Sequence, residues 1–330
     1  MTDINSKAGE FIMHDADEQY DVLVMVVPKD FERLKYNYKR LSEYLPGRNI
    51  YFVGSEEVRQ LVRDAGLGGR VGWIDENSVL PFDRVHAVME ERMSEWLEGR
   101  SMPRNITGWY YQQFLKMQYA RMCKDEYYMV WDGDTIPCRH FSMFSDEGKP
   151  YLDLKHEYHE EYFNTLTKLI PDLHKCIDKS FISEHMLMRC DIMCEMLADI
   201  EKAEYKGTEF WEKILWSIEM ADIQSNSFSE FESYGTYIAL RHPECYKLRN
   251  WNSFRYGGAY FHSEAITDDD YDWLGKDFFA ISFEKAHSVR EDHENLFNNK
   301  EYQSKLSARQ MLELAQEDYE GDSYKEVWDT

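Results

Sequence analysis

Tyr127-Tyr128-Met129-Val130-Trp131-Asp132-Gly133-Asp134-Thr135 runs from an apolar segment straight into two carboxylates separated by one glycine. The residues before Asp132 are bulky and apolar without strict alternation, the pattern of a strand buried on both faces of a sheet. Ligands of open α/β sheets bind beyond the carboxyl ends of strands, so the acidic pair falls where a site is expected. Hard carboxylate oxygens on a tight glycine turn suit Mg2+ or Mn2+, cations that also grip a diphosphate.

Working upstream, Tyr20-Asp-Val-Leu-Val-Met-Val-Val-Pro28 reads as a second buried strand, followed from Asp30 through Leu41 and Leu45 by a helical pattern. Asn49 to Gly54 and Arg70 to Asp75 read as further strands, with helices over 56–65 and 81–99. Gly108 precedes an amphipathic helix, Trp109 to Ala120, which leads into the Asp132 strand. Strand and helix alternate throughout the first 135 residues, which predicts right-handed parallel units. Downstream the pattern predicts helices over about 157–178, 189–203 and 227–240, and a charged tail with a helical 306–314 segment. Residues 1–19 are polar and aperiodic and read as a flexible lead-in. No repeat or linker divides the rest, so a single domain over 20–285, with a nucleotide half to about 140 and an acceptor half from 141, precedes a 286–330 acidic helical extension.

Composition narrows the class. The 330 residues carry 38 Lys and Arg against 62 Asp and Glu, a net charge of −24 that argues against a general nucleic-acid surface and against simple docking on anionic lipid. With 43% hydrophobic and 15% aromatic residues the chain is a folded globular protein. The sequence presents neither a basic, apolar leader nor a run long enough to span a membrane, so a cytoplasmic location is expected, with peripheral attachment at the inner face of a membrane left open. Six cysteines form no Cys-x-x-Cys pair and read as reduced thiols.

An apolar strand ending in Asp-x-Asp also opens haloacid-dehalogenase-type phosphatases, but there a Thr stands two residues after the second Asp, and here Thr135 follows Asp134 directly. Taken together, Val24-Met-Val-Val-Pro28 with Asp30, Gly108-Trp-Tyr-Tyr-Gln-Gln-Phe-Leu-Lys116, Asp132-Gly-Asp134 and Ser229-Glu-Phe-Glu232-Ser-Tyr-Gly235 give a different resemblance. The chain resembles the GT-A-fold, Asp-x-Asp nucleotide-sugar glycosyltransferases, and more narrowly the poorly characterised bacterial enzymes of capsule and O-antigen polysaccharide synthesis. The resemblance implies a Rossmann-like mixed central sheet flanked by helices, with C-terminal helical additions. It implies Mn2+ or Mg2+, a nucleoside-diphosphate sugar donor with a UDP-sugar first in line, a glycan or lipid-linked saccharide acceptor, and other polysaccharide-synthesis enzymes as partners.

Residue by residue, the resemblance makes Asp134 the direct metal ligand, Asp132 a ligand that also contacts the sugar or ribose, and His262, after Gly257-Gly-Ala-Tyr-Phe, the third ligand. Val27, Pro28 and Asp30 would lie near the base, and Gln113, Lys116 and Arg255 near the diphosphate. An inverting transfer needs a carboxylate to deprotonate the acceptor hydroxyl. Glu230 and Glu232 are the candidates, and at i and i+2 they point apart, so one at most serves; family position favours Glu230. Ser227 with Glu230 and Ser229 with Glu232 each fit a capping box, which leaves the helix start open. His185 and Trp109 are the candidate acceptor contacts. Two other readings stand beside this one: a metal-dependent phosphohydrolase with Asp132 as nucleophile, and a non-catalytic nucleotide-sugar-binding subunit.

Overall fold

The computed structural model describes residues 13–224, 227–285 and 287–316. Ten strands appear among them: β1 (Asp21–Met25), β2 (Ile50–Gly54), β3 (Val71–Asp75), β4 (Tyr127–Asp132), β5 (Thr135–Pro137), β6 (Tyr151–Leu154), β7 (His185–Arg189), β8 (Lys247–Asn250), β9 (Ser253–Phe254) and β10 (Ala280–Ser282). The main sheet has five strands in the order β3-β2-β1-β4-β7. Its first four are parallel, and β7 runs antiparallel to β4 at the edge. β5, β10 and β9 form a second sheet, and β6 pairs with β8. The mixed α/β class with a mostly parallel central sheet is therefore as the sequence predicts.

The helices are α1 (Pro28–Leu34), α2 (Tyr38–Tyr44), α3 (Glu56–Ala65), α4 (Glu76–Val79), α5 (Phe82–Arg92), α6 (Ser94–Leu97), α7 (Arg104–Gln118), α8 (Glu160–Leu169), α9 (Cys190–Glu201) and α10 (Phe210–Ser217), then α11 (Glu230–Arg241), α12 (Asp268–Leu274), α13 (Glu291–Phe297), α14 (Lys300–Lys305) and α15 (Ala308–Gln316). The pattern expected as one helix after Asp30 is two, because the chain turns at 35–37 before α2 resumes. α7 begins at Arg104, one turn before the expected start, with Gly108 inside it. α10 and the antiparallel β7 are absent from the sequence reading.

Alternation along a strand puts successive side chains on opposite faces, and here it divides two cores. Leu23 and Met25 of β1 with Tyr128 and Val130 of β4 pack under α5, α7, α9, α10 and α11. Val22, Val24 and Val26 with Met129 and Trp131 face α1, α2, α3 and the C-terminal elements. That second core reaches residues expected to lie outside the fold. Asp17 is buried and accepts hydrogen bonds from Tyr20 Oη at 2.9 Å and Met143 N at 3.0 Å, so 13–19 pack rather than trail. Phe297, Met311 and Leu312 are buried, and Trp273 Nε1 donates to Leu306 O at 2.9 Å. Residues 1–12 of the expected lead-in and 317–330 of the extension lie outside the described residues.

Sheet order fixes where a ligand fits. The chain moves outward from β1 to β3 and then returns to place β4 on the other side of β1. The carboxyl ends of β1 and β4 thus flank the topological switch point, the crevice in which open α/β sheets bind ligands.

Candidate active site

Met25 at the end of β1 stands in register with Asp132 at the end of β4, which brings Val26, Val27 and Pro28 beside the Asp132-Gly133-Asp134 turn. Asp132 N donates to Glu184 O at 2.9 Å, Tyr38 Oη donates to Gly133 O at 2.9 Å, and Phe283 N donates to Asp134 O at 2.8 Å. A Cβ on Gly133 would lie 2.6 Å from Met25 O, so the close approach of the turn to β1 requires glycine. Two backbone hydrogen bonds and the Tyr38 hydroxyl therefore fix the main chain of the turn, and with it the positions from which both carboxylates project, before any ligand arrives.

The turn forms one wall of a cleft of about 1100 Å³. From α1 come Pro28, Asp30 and Arg33; from α7 come Gly108, Trp109, Gln113 and Lys116; from α11 comes Glu230; Arg255 and Glu284 complete the lining, with Glu284 beside the Asp134 turn. Pro28 takes the first helical turn of α1, where its missing N–H is tolerated. Nothing stands within 4 Å of a Cβ built on Gly108, so that position leaves the cleft wall open.

Lys116 is buried and donates to Asp132 Oδ1 and Glu230 Oε1, each at 2.6 Å. Burial pushes its pKa down, but the two carboxylates outweigh this and hold the ammonium protonated. One cation here serves two acids. Burial raises the Glu230 carboxyl, Lys116 opposes the rise, and Asp132 adds to it; the net shift is upward. The Asp134 carboxyl is pushed up to about 7, first by burial and then by Asp132 and Glu284. Its side chain has a single hydrogen-bond partner among the described residues, Thr135 Oγ1 at 3.5 Å.

Glu184 is the strained residue of the site. Its φ of +61° lies in the left-handed region, and its carbonyl is the group that holds Asp132 N. Ser253 Oγ donates to its Oε2 at 2.9 Å, while Oε1 is buried without a hydrogen-bond partner.

The cleft gathers Val27, Pro28, Asp30, Trp109, Gln113, Lys116, Asp132, Asp134, Glu230 and Arg255 of the residues picked out in the sequence. Ser229 caps α11, accepting from Glu232 N at 3.2 Å, and Gln113 Oε1 accepts from Glu230 N at 3.1 Å. Arg255 is tied to Glu157 and, at 2.8 Å, to Glu284. Glu232 turns away from the cleft, accepting from Ser180 Oγ at 2.6 Å and Phe181 N at 3.2 Å, as its spacing from Glu230 requires.

Two expectations need correction. His185 is buried in β7 between Ser183 O at 2.8 Å and Asp153 Oδ2 at 2.9 Å, so its ring has no face for an acceptor. His262 does not line the cleft; it is half-exposed, with Nε2 3.6 Å from Glu294 Oε2. Among the described residues no three His, Cys, Asp or Glu side chains converge as a metal cage. What fits a cation is narrower: a half-buried, nearly unbonded Asp134 carboxylate amid other acids, and Asp132, whose second oxygen Lys116 leaves clear. Mg2+-type ions keep waters and substrate phosphates in their shell, so two carboxylates can suffice.

Arg33, Arg104, Tyr162 and Glu184 are absent from the sequence reading. Arg33 lies one turn beyond Asp30 and donates to Phe283 O at 2.8 Å, and the i, i+3 spacing was the available signal. Arg104 and Tyr162 reach the cleft only through the fold.

Residues 12–309 match the family described as a family of unknown function (DUF6492). No curated protein matches the sequence. Among solved structures, similar ones include mouse xyloside xylosyltransferase 1 in its apo form, 14% identical over 82% of this chain and 99% of that one, with a TM-score of 0.39. Another is the galactosyltransferase LgtC with donor and acceptor sugar analogues, 11% identical over 93% and 100%, with a TM-score of 0.41. The S. cerevisiae mannosyltransferase Ktr4p with GDP is 9% identical over 61% and 66%, with a TM-score of 0.35. No described helix is long and apolar enough to cross a membrane.

Proposed function

The chain belongs to that family of unknown function, and we propose that its cleft is the donor site of a divalent-metal-dependent glycosyltransferase. The observation that carries the reading is the rigid Asp132-Gly133-Asp134 turn at the switch point, opening into a cleft of about 1100 Å³ that a nucleotide sugar fills. Asp134, with the clear oxygen of Asp132, holds Mn2+ or Mg2+, and the metal supplies charge neutralisation for the departing nucleoside diphosphate. Val27, Pro28 and Asp30 border the base, with UDP the first nucleotide to try. Lys116 and Arg255, both on the cleft lining, are the cations for the diphosphate.

Glu230 is the acceptor base. Its carboxyl is raised by burial and lines the cleft, which makes it a stronger base than an exposed carboxylate and places it where an acceptor hydroxyl would stand. Direct attack with Glu230 as base makes the transfer inverting, and Trp109 offers a ring on which an acceptor sugar packs. A glycan or lipid-linked acceptor in bacterial surface polysaccharide synthesis, inside the cell and beside other enzymes of that synthesis, is the setting that the resemblance of Gly108 to Lys116 and of the Asp132 turn supports.

The test is a thermal-shift screen of nucleoside diphosphates and nucleotide sugars with and without Mn2+ or Mg2+, since a ligand of the native state raises Tm by mass action. A rise that needs one nucleotide and the metal together, and that Asp134→Ala abolishes, is expected. Phosphate release from simple monoesters with a fluoroberyllate-trapped Asp132 would replace this reading by a phosphohydrolase. Donor binding with neither transfer nor slow donor hydrolysis would reduce the protein to a binding subunit.

A further inference from the structure

A second cavity of about 980 Å³ shares no lining residue with the cleft. It opens where β5 ends, so the three residues of that strand connect the Asp134 turn to Cys138 and Arg139 on the second cavity's wall. Its partner strand β10 does the same in reverse, with Phe279 on the second cavity and Glu284 on the cleft.

The chain is strongly acidic, yet the cavity is furnished with cations. Arg139 is the decisive one. Its guanidinium lies 3.9 Å over the Phe279 ring, whose other face is stacked on Trp251 at 4.6 Å. Arg139 Nε is buried without a hydrogen-bond partner, and the side chain makes no ion pair with any described residue. Buried guanidinium donors are ordinarily satisfied, because an unmade hydrogen bond to a charged group is costly. Asp277 acts on it only at a distance, without an ion pair, and its carboxylate accepts from Arg309 N at 2.9 Å, while the acids of the cavity wall are engaged elsewhere or exposed. Asp272 stands 3.7 Å from Arg40, which also holds Asp268 at 3.0 Å, and Asp15 and Asp146 are exposed at the rim. Arg249, the second guanidinium of the wall, is already balanced by Asp153 at 2.6 and 2.7 Å. Lys276 adds an exposed ammonium with no ion pair among the described residues. The remaining wall is aromatic, with His140 stacked on Tyr44 at 4.6 Å and His14 on Phe144 at 5.6 Å.

We propose that this cavity binds a small organic oxyanion, whose phosphate, sulfate or carboxylate group meets Arg139 and Lys276 while a ring-shaped body lies against the aromatic wall. Guanidinium is the cation suited to this task, since its planar fork pairs with two oxygens and its face stacks on a ring at the same time. The proposal does not depend on the activity assigned to the cleft.

Isothermal titration of the full chain with phenyl phosphate, benzoate, glucuronate and inorganic phosphate tests it. At least one organic anion is expected to bind saturably and more tightly than inorganic phosphate, and the tighter of the phosphate and carboxylate probes identifies the group preferred. Arg139→Gln should weaken that binding about tenfold or more. Lys276→Glu, at an exposed position whose change leaves the fold intact, should weaken it roughly threefold, so the test survives a poorly folded Arg139 variant. A second binding event in the cleft is told apart by its sensitivity to Lys116→Met and indifference to Lys276→Glu. Absence of saturable binding by all three organic probes up to about 10 mM, or wild-type affinity in both cavity variants, overturns the proposal.

Discussion

Two buried charge clusters sit on either side of β4 and are built from the same ingredients in opposite proportion. In the cleft, one cation, Lys116, lies between two carboxylates, Asp132 and Glu230. Beyond β7, one carboxylate, Asp153, lies between Arg249 and His185. Burial pushes both Asp153 and Glu230 up, yet Asp153 ends at about 2 because Arg249 and His185 overcome the penalty, while Glu230 ends above its ordinary value. The first cluster is short of positive charge and faces open space; the second is balanced, with Asp153 and His185 buried and Arg249 reaching the wall of the second cavity. Perturbed acids in a cleft mark a site prepared for a ligand, whereas a satisfied buried network marks architecture.

The strongest way to break this contrast is Asp153→Ala. It leaves the buried His185 and the half-buried Arg249 without their shared carboxylate, and a loss of about 3–5 kcal/mol in urea unfolding is expected. Because the folded pKa of Asp153 is depressed, its contribution is present above the ordinary carboxylate range and is lost as pH falls from about 4 toward 2. A loss under about 1 kcal/mol would mean the cluster is not structural.

Asp134→Asn should do the reverse. The folded pKa of Asp134 is raised to about 7, so its ionisation destabilises the empty protein progressively as pH climbs from about 4 to 7 and by a constant amount above. The variant should therefore be more stable than the parent by roughly 2–4 kcal/mol at pH 8 and equal to it at pH 4, read as Tm at the two pH values. It should also lose the metal-dependent donor shift. Equal Tm at pH 8 would remove the electrostatic strain from the account.

The smallest effect is expected of His262→Ala, which alters a half-exposed ring outside both clusters. Stability should change by no more than about 0.5 kcal/mol, and the metal response not at all. Loss of the metal response in this variant would restore His262 to the ligand set.

Strand-borne features of the site were legible in the sequence, because a buried strand that ends in Asp-Gly-Asp states both its burial and its direction. The apolar run of Tyr127 to Trp131 and that of Asp21 to Val26 placed the central strands, and Lys116 and Glu230 were named from the helices that flank them. The pairing between those two was not legible, since 114 residues separate them and no local pattern records the contact. His262 and His185 misled for the opposite reason. A histidine near glycines or at a strand start looks the same in sequence whether its neighbour is a metal, a carboxylate such as Asp153, or solvent. Glu184 was hidden by its type, because a left-handed backbone announces itself only through glycine or asparagine, and here glutamate occupies it.

That last position has a consequence for anyone who engineers this chain. A left-handed glutamate carries a cost on the order of 1–2 kcal/mol that glycine would not. Redesign that scores backbone strain alone will therefore rank Glu184→Gly among its first choices, and the selected protein will keep the carbonyl that steadies Asp132 while leaving the buried Lys155 without the carboxylate that offsets its burial and Ser253 Oγ without its acceptor. The residue recovered at 184 from libraries screened for heat resistance alone then reports whether the strain of that backbone or the buried pairing it carries is the larger effect.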